Sequence, residues 1–246
     1  MVDNNSTDDT VAIAESFSFV RVLREPRQGV VYARDRGFNA ARGDIIGRID
    51  ADTVMSENWV ETVETLFADG SVGALTGAAR YYDMALAPLL NTIDLVIRRY
   101  LARVLGNHVA LQGANMAIRR SVWRKVRPTL CRSGGMHEDF DISIHTNHLG
   151  HKVMFDESLV ASLGYRQAGA TFKDFKCYVY LSPRTYALHG LRCQRYMYPV
   201  VWLALAFYVP LTFMHRGYDA RAERFSWQKA FGQSDSARVN PATFVD

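Results

Sequence analysis

DIIGRIDAD, residues 44–52, is the stretch on which the fold turns. Ile45, Ile46 and Ile49 make a short apolar run, too brief for a helix, that ends on two acids one residue apart. This reads as a strand delivering Asp50 and Asp52 to its C-terminal end, where open α/β sheets place ligands. Upstream, VVYARDRGFNAARG (30–43) reads as a helix ended by Gly43, preceded by the turn PRQG and by SFVRVLRE (18–25), which alternates as a strand does. A polar turn, residues 3–10, leads into a short helix over 10–16. Downstream, SENWVETVETLFAD (56–69) reads as a helix capped by Ser56, and SVGALTGAARYYD (71–83) as a strand. Residues 86–105 read as a long amphipathic helix, HVALQGANMAIRRSVWRKV (108–126) as strand-like, DISIHTNHLG (141–150) as a helix and HKVMFDESLVASLG (151–164) as a strand with a turn.

Strand and helix alternate throughout, so the expected class is α/β, a Rossmann-like and mostly parallel sheet flanked by helices. From Thr171 the pattern turns helical, aromatic and basic. The expected organisation is one α/β domain over 1–170 and a helical C-terminal extension over 171–246. No internal repeat or low-complexity segment interrupts either.

The chain has 246 residues, 48% hydrophobic and 22% charged, which is globular rather than disordered. Its net charge of +4 suits a phosphate-bearing substrate or an anionic membrane surface, while no block of like charges marks a nucleic-acid arm, so no nucleic-acid partner is expected. Cys131, Cys177 and Cys193 are widely spaced and form no CxxC pair, which points to a reducing, cytoplasmic setting. YMYPVVWLALAFYVPLTFM (196–214) carries no formal charge over 19 residues, near the minimum length of a bilayer helix. Its prolines and aromatics fit a buried or interface-lying helix as well as a spanning one, so association with the inner face of the plasma membrane is a second expectation.

Three clusters carry chemistry. Asp50 and Asp52 share a strand face and would both address one hard cation gripping a diphosphate; the alternative is a solvated acidic turn. In MHEDFD, Glu138, Asp139 and Asp141 crowd ahead of a helix, either as first-turn acids favoured by the dipole or as the setting of a general base, Asp139 or else Glu138. In QGANMAIRRS, Gly113 and Ala114 permit close backbone approach and Asn115 offers an amide to a ligand, unless the segment is simply a strand with a bulge. His145, His148 and His151 are spaced so that they would not converge on one ion, and are read as surface histidines. Arg184, Arg192 and Arg195 would meet phosphate or lie on a solvated helix face.

Taken in order, VDNNSTDDT, GVVYARDRGFNAARGDIIGRIDAD, GANMAIRRSVW and HEDFDISIHTNHLGHKVMFDES resemble glycosyltransferase family 2 over about residues 2–165. The resemblance implies a GT-A fold and transfer of a sugar, with inversion, from a nucleotide-diphosphate donor to a sugar or lipid-linked acceptor. It implies Asp3 and Asn4 at the base and ribose, Arg34 beside the donor, and Gly113 and Asn115 near it. Asp50-Ala51-Asp52 stands for the DXD motif, with Asp52 the ligand of Mn²⁺ or Mg²⁺ and Asp50 near the ribose or metal. Glu138-Asp139 stands for the ED motif, with Asp139 the base. Family members begin some 35 to 40 residues earlier with an apolar strand and loop, so the first βα unit is expected to be missing here. SPRTYALHGLRCQRY does not match the QxxRW motif of processive members, which suggests single transfer. The alternative reading is a non-catalytic remnant that binds nucleotide or a membrane only.

Overall fold

The computed structural model describes residues 1–132, 134–165, 170–219 and 224–231. Its centre is a ten-residue strand, β5 (Val72–Tyr81), of which the first eight residues are buried. Burial on both faces explains why VGALTGAA shows no polar alternation. Around it lie β3 (Ile45–Ile49), β4 (Val54–Met55), β6 (Asn115–Arg119) and β7 (Lys152–Leu163), in the order β3-β6-β5-β7-β4. A separate ribbon pairs β1 (Val2–Asp3) with β2 (Leu23–Arg24) in parallel.

The α/β class and the flanking helices agree with the sequence pattern, but the sheet is not mostly parallel. Only β5 and β7 pair in parallel; β3 with β6, β6 with β5, and β7 with β4 are antiparallel. Alternation of strand and helix gives no strand direction when the crossover makes a round trip. Here α4 (Ala87–Val104) runs 18 residues away from the end of β5, and residues 105–114 bring the chain back, so β6 starts beside Ala78.

Each sheet face has its own core. One holds Phe38, Ile46, Ala74, Leu111, Met116, Ile118, Trp123, Ile142 and Val153; the other holds Trp59, Val63, Phe67, Val72, Leu75, Ala117 and Leu159. Met116 and Ile118 face one way and Ala117 the other, as the pleat requires. A register shift between Val72 and Ala74 puts Val72 and Leu75 on one face despite their odd spacing. A second shift, between Gly77 and Ala78, lets Leu159 arch over Gly77, where an added Cβ would stand 1.8 Å from the Leu159 carbonyl oxygen.

Several element boundaries differ from the sequence pattern. Of 18–25 only Leu23–Arg24 is strand, and 108–126 divides into a loop, β6 and α5 (Arg120–Val126). α1 covers Thr10–Glu15 and α2 (Val30–Ala40) stops short of Gly43. α3 (Trp59–Leu66) is preceded by Asn58 rather than Ser56 as the N-cap; Ser56 N–H bonds to Val160 O at the sheet edge. α6 (Glu138–His148) begins at the acidic cluster itself.

Beyond residue 170, α7 (Phe172–Leu188), a 3₁₀ segment Arg192–Met197 and α8 (Tyr198–Gly217) follow. Tyr186 and Met197 share a core with Leu105 and Ile144, so these helices pack onto the sheet domain. A β8 (Tyr218–Asp219) and β9 (Arg224–Phe225) hairpin and α9 (Trp227–Phe231) come last; the remainder of the expected 171–246 extension lies outside the described residues. Arg192–Gly217 is long and apolar enough to cross a membrane, with 22% of its most apolar window buried.

Asn115 ties the sheet together. Fully buried, it accepts from Trp59 Nε1 at 2.9 Å and donates to Leu159 O at 2.9 Å and Ala78 O at 3.1 Å. Asn115→Ala leaves three buried groups unpaired at about 1–3 kcal/mol each. Even at the lower bound of about 3 kcal/mol in all, thermal unfolding of this variant should occur at least roughly 6 to 12 °C lower, at about 2–4 °C per kcal/mol for this size; an unchanged melting temperature would remove Asn115 from this role.

Candidate active site

Three carboxylates open α6, and successive positions on a helix point in different directions. Glu138 turns toward two arginines: Arg34, on α2, bonds its Oε2, and Arg48, on β3, lies 2.5 Å from its Oε1. Asp139 turns toward the loop before β6, accepting from Gly113 N at 2.9 Å and from Phe140 N at 3.0 Å. Asp141, 1% exposed, turns away from both.

Charge follows from these placements. Desolvation opposes ionisation of Glu138, but Arg48 and Arg34 outweigh it and hold its carboxyl below the usual glutamate range. Asp139 has no such partner. Desolvation first, and the Glu138 charge second, push it up to about 6, against smaller opposing effects of Arg48 and two backbone N–H groups. Two adjacent carboxylates are thus driven apart, one firmly ionised and one poised to exchange a proton near neutrality. His137, just before them, is pushed down to about 4 by burial and stays neutral.

A cavity of about 650 Å³ opens over this turn, a size typical of ligand sites. Asp50 and Asp52 line it from the end of β3, Gly113 and Ala114 from the loop, and Glu138 and Asp139 from α6. The Asp50–Asp52 turn is pinned: Asp50 N–H donates to Thr53 Oγ1, Thr53 Oγ1–H donates to Ala114 O, and the Tyr82 hydroxyl donates to Asp52 O, each at 3.3 Å. The far wall comes from Asp94 and Arg98 on α4, Tyr178 and Ser182 on α7, and Val200 and Ala204 on α8.

Other sequence candidates stand elsewhere. Arg34 is behind Glu138, with 2% of its side chain exposed, paired also with Asp35 at 2.7 Å. Asn115 is the sheet tie described above and does not line the cavity. Asp3 and Asn4 sit apart on the β1–β2 ribbon. Asp3 accepts from Ser6 N at 3.0 Å, and Asn4 spends its amide on Glu25 O, Arg27 O and Gly29 N at 2.7–2.8 Å. Arg184 covers Gly135, and Arg195 stacks on Tyr196.

Arg48 is the residue the motifs passed over. Two positions before Asp50, it shares the strand face of that acid, which is the signal that would have found it. Its guanidinium lies so close to Gly113 that an added Cβ would stand 2.7 Å from it, so a side chain there would have to push the guanidinium aside. Asp94 and Arg98, an i,i+4 pair 2.5 Å apart, were equally visible as a helix pair.

The family model for glycosyl transferase family 2 matches residues 1–127, more than half of the chain. This chain belongs to glycosyltransferase family 2. It is 31% identical over 88 residues to the glycosyltransferase GlyG of Streptococcus pneumoniae, a match covering 34% of this chain and 29% of that protein, so the chain spans under a third of the relative's length. A mannosyltransferase of Pyrobaculum calidifontis, solved with GDP-Man and Mn²⁺, superposes with a TM-score of 0.59 at 18% identity, covering 93% of this chain and 67% of that one. Glucosyl-3-phosphoglycerate synthase of Mycobacterium tuberculosis, solved with Mn²⁺, UDP-Glc and phosphoglyceric acid, does so at 0.55 and 22% identity, covering 77% and 68%. At these identities the likeness establishes the fold, which is of the GT-A type.

Glu138→Gln in this family 2 chain would take from the buried Arg48 its ion-pair partner and leave Arg34 with Asp35 alone. Breaking a buried pair costs about 3–5 kcal/mol, so chemical denaturation should show a loss of that size; a loss below about 1 kcal/mol, the range of surface pairs, would mean the cluster is not buried in solution.

Proposed function

We propose that the chain transfers a sugar from a nucleotide-diphosphate donor to an acceptor hydroxyl, with inversion and with a divalent ion. The observation that carries this reading is that Asp50, Asp52 and Asp139, from two separate elements, line one cavity. Asp50 and Asp52, in the turn that follows β3, offer hard carboxylate oxygens to one cavity, a donor set suited to Mn²⁺ or Mg²⁺. When bound there, such an ion neutralises charge on the diphosphate leaving group.

Asp139 takes the proton of the acceptor hydroxyl. Gly113 N–H fixes one carboxylate oxygen, and the raised pKa makes the ionised form basic enough to accept a proton near neutral pH. Glu138 keeps Arg48 beside the loop and raises the proton affinity of Asp139 through its own charge. With the attacking hydroxyl and the leaving diphosphate on opposite faces of the sugar, one displacement inverts the anomeric centre without a covalent enzyme intermediate. The donor-bound structures of the two neighbours support a nucleotide-sugar donor.

α8 exposes Trp202, Leu203, Phe207 and Val209. In this reading that face lies among lipid headgroups at the inner membrane surface and brings a lipid-linked acceptor to the wall formed by Val200 and Ala204.

Two variants test the chemistry side by side. Asp139→Asn should lower kcat by roughly 10²- to 10⁴-fold with donor affinity retained. Its melting temperature at pH 8 should hold or rise. The folded pKa, about 6, lies above the ordinary aspartate value of 3.8, so between those values the native state keeps a proton the unfolded chain has lost, and stability falls as pH rises through that window. Asp52→Ala should instead abolish the Mn²⁺-dependent part of nucleoside-diphosphate binding in calorimetry. Full turnover by the first variant, or unchanged metal dependence in the second, refutes the corresponding assignment. Membrane docking is checked by flotation with anionic liposomes at low salt, where Trp202→Ala with Phe207→Ala should release the protein; no binding by the unaltered chain would reject it.

A further inference from the structure

Behind the catalytic turn lies a second cluster, which the function just described does not use. Cys131, Asp141, His145 and His189 each bring one donor atom to within 4.8 Å of all the others. His189 Nε2 is 2.8 Å from Asp141 Oδ1, and His145 Nε2 is 3.4 Å from the same oxygen. The second carboxylate oxygen is occupied separately, accepting from Cys131 N at 2.8 Å. His145 is therefore not the surface residue its spacing suggested; its partners are Asp141 and His189, not His151, and 17% of its side chain is exposed. We propose that these four residues form a structural site for a zinc-type divalent ion.

The cluster as it stands is short of positive charge. Asp141 is 1% exposed, and a buried carboxylate needs a partner. Among the described residues no lysine or arginine forms an ion pair with it; its ion-pair contacts are the two imidazoles. His145 Nε2 is buried without a hydrogen bond. One divalent ion answers both conditions. Held by a carboxylate and a thiolate it is neutralised, both imidazoles coordinate as neutral ligands, and the thiol proton leaves to solvent.

The donor set selects the metal. One sulfur, two nitrogens and one oxygen suit tetrahedral zinc and are poorly matched to Mg²⁺ or Mn²⁺, which favour oxygen. Donors on tetrahedral zinc lie about 3.3–3.8 Å apart, given bonds of about 2.0–2.3 Å, so the longest separation here closes with a small rotamer adjustment. Asp141 and His145 are i and i+4 on one face of α6, a spacing that brings two ligands to one ion.

The three segments joined explain what the ion would do. Cys131 follows the 3₁₀ turn Arg127–Thr129, His189 caps the C-terminal end of α7, and α6 carries Asp139 in its first turn. An ion here staples α6 to both neighbours and fixes the helix that presents the base. It is a site distinct from Asp50 and Asp52, and it stands whether or not those residues bind a donor.

The test uses the full chain after chelator dialysis, titrated with Co²⁺ and then Zn²⁺. One equivalent of Co²⁺ should produce a thiolate-to-cobalt charge-transfer band that Zn²⁺ displaces. The band should persist in Asp52→Ala and vanish in Cys131→Ser. Zn²⁺ at about 100 times its dissociation constant should raise the melting temperature by about 5 to 10 °C, and by no more than 1–2 °C in Cys131→Ser, on the same scale. If that variant fails to fold, His189→Gln takes its place, with loss of the one-equivalent binding step as the readout. A missing band, a band that survives Cys131→Ser, or a thermal shift equal in unaltered and altered chains overturns the site and leaves a hydrogen-bonded Asp141–His189 pair in its place.

Discussion

The carboxylate of Glu138, shared between Arg34 and Arg48, is the interaction on which the working end of this molecule depends. Its two cations come from α2 and β3, and the carboxylate itself from α6, so one group ties α6 to two elements whose arginines stand 104 and 90 residues earlier in the chain. None of the three could be charged in that environment alone. Together they leave Arg48 lying flat on Gly113, whose N–H then aims at Asp139.

Asp139 gains its character from what it lacks. Its neighbour takes both arginines, and it keeps only two backbone donors in surroundings that oppose charge. The sequence HEDFD thus encodes three different jobs by helical geometry: position 138 reaches the arginines, 139 the cavity and 141 the histidines on the other side. A reading of the cluster as dipole-favoured helix acids is correct for its place and silent about this division.

What was legible in the sequence was periodic. The isoleucines of β3, the unbroken apolar run of β5 and the stripe of α4 each follow from one-dimensional pattern, and so does the delivery of Asp50 and Asp52 to a strand end. Pairing direction was not legible, because the round trip of α4 and the loop to β6 leaves no mark in hydrophobic period. Asn115 and Arg34 look like ligand-binding residues in sequence, since a polar side chain beside glycines or acids reads the same whether it meets solvent or a buried partner. Only the fold shows that Trp59, Ala78 and Leu159 surround the one and Glu138 the other. The histidines are misjudged in sequence for a related reason: spacing rightly excludes convergence of 145, 148 and 151 and so reads them as surface residues, while the residue that joins His145 comes from the end of α7, 44 positions away.

The cavity has two kinds of wall. Asp50, Asp52 and Gly113 hang on strands or on turns pinned to them, whereas Tyr178, Ser182, Val200 and Ala204 hang on α7 and α8. An insertion or deletion in a strand wall disturbs a ladder that runs through the whole sheet, because a one-residue slip reverses every side chain. A change in a helix wall disturbs one turn. The molecule is therefore divided into a part that must be inherited unchanged and a part that can drift, and diversification of what enters the cavity is channelled to the side that residues 171–217 supply.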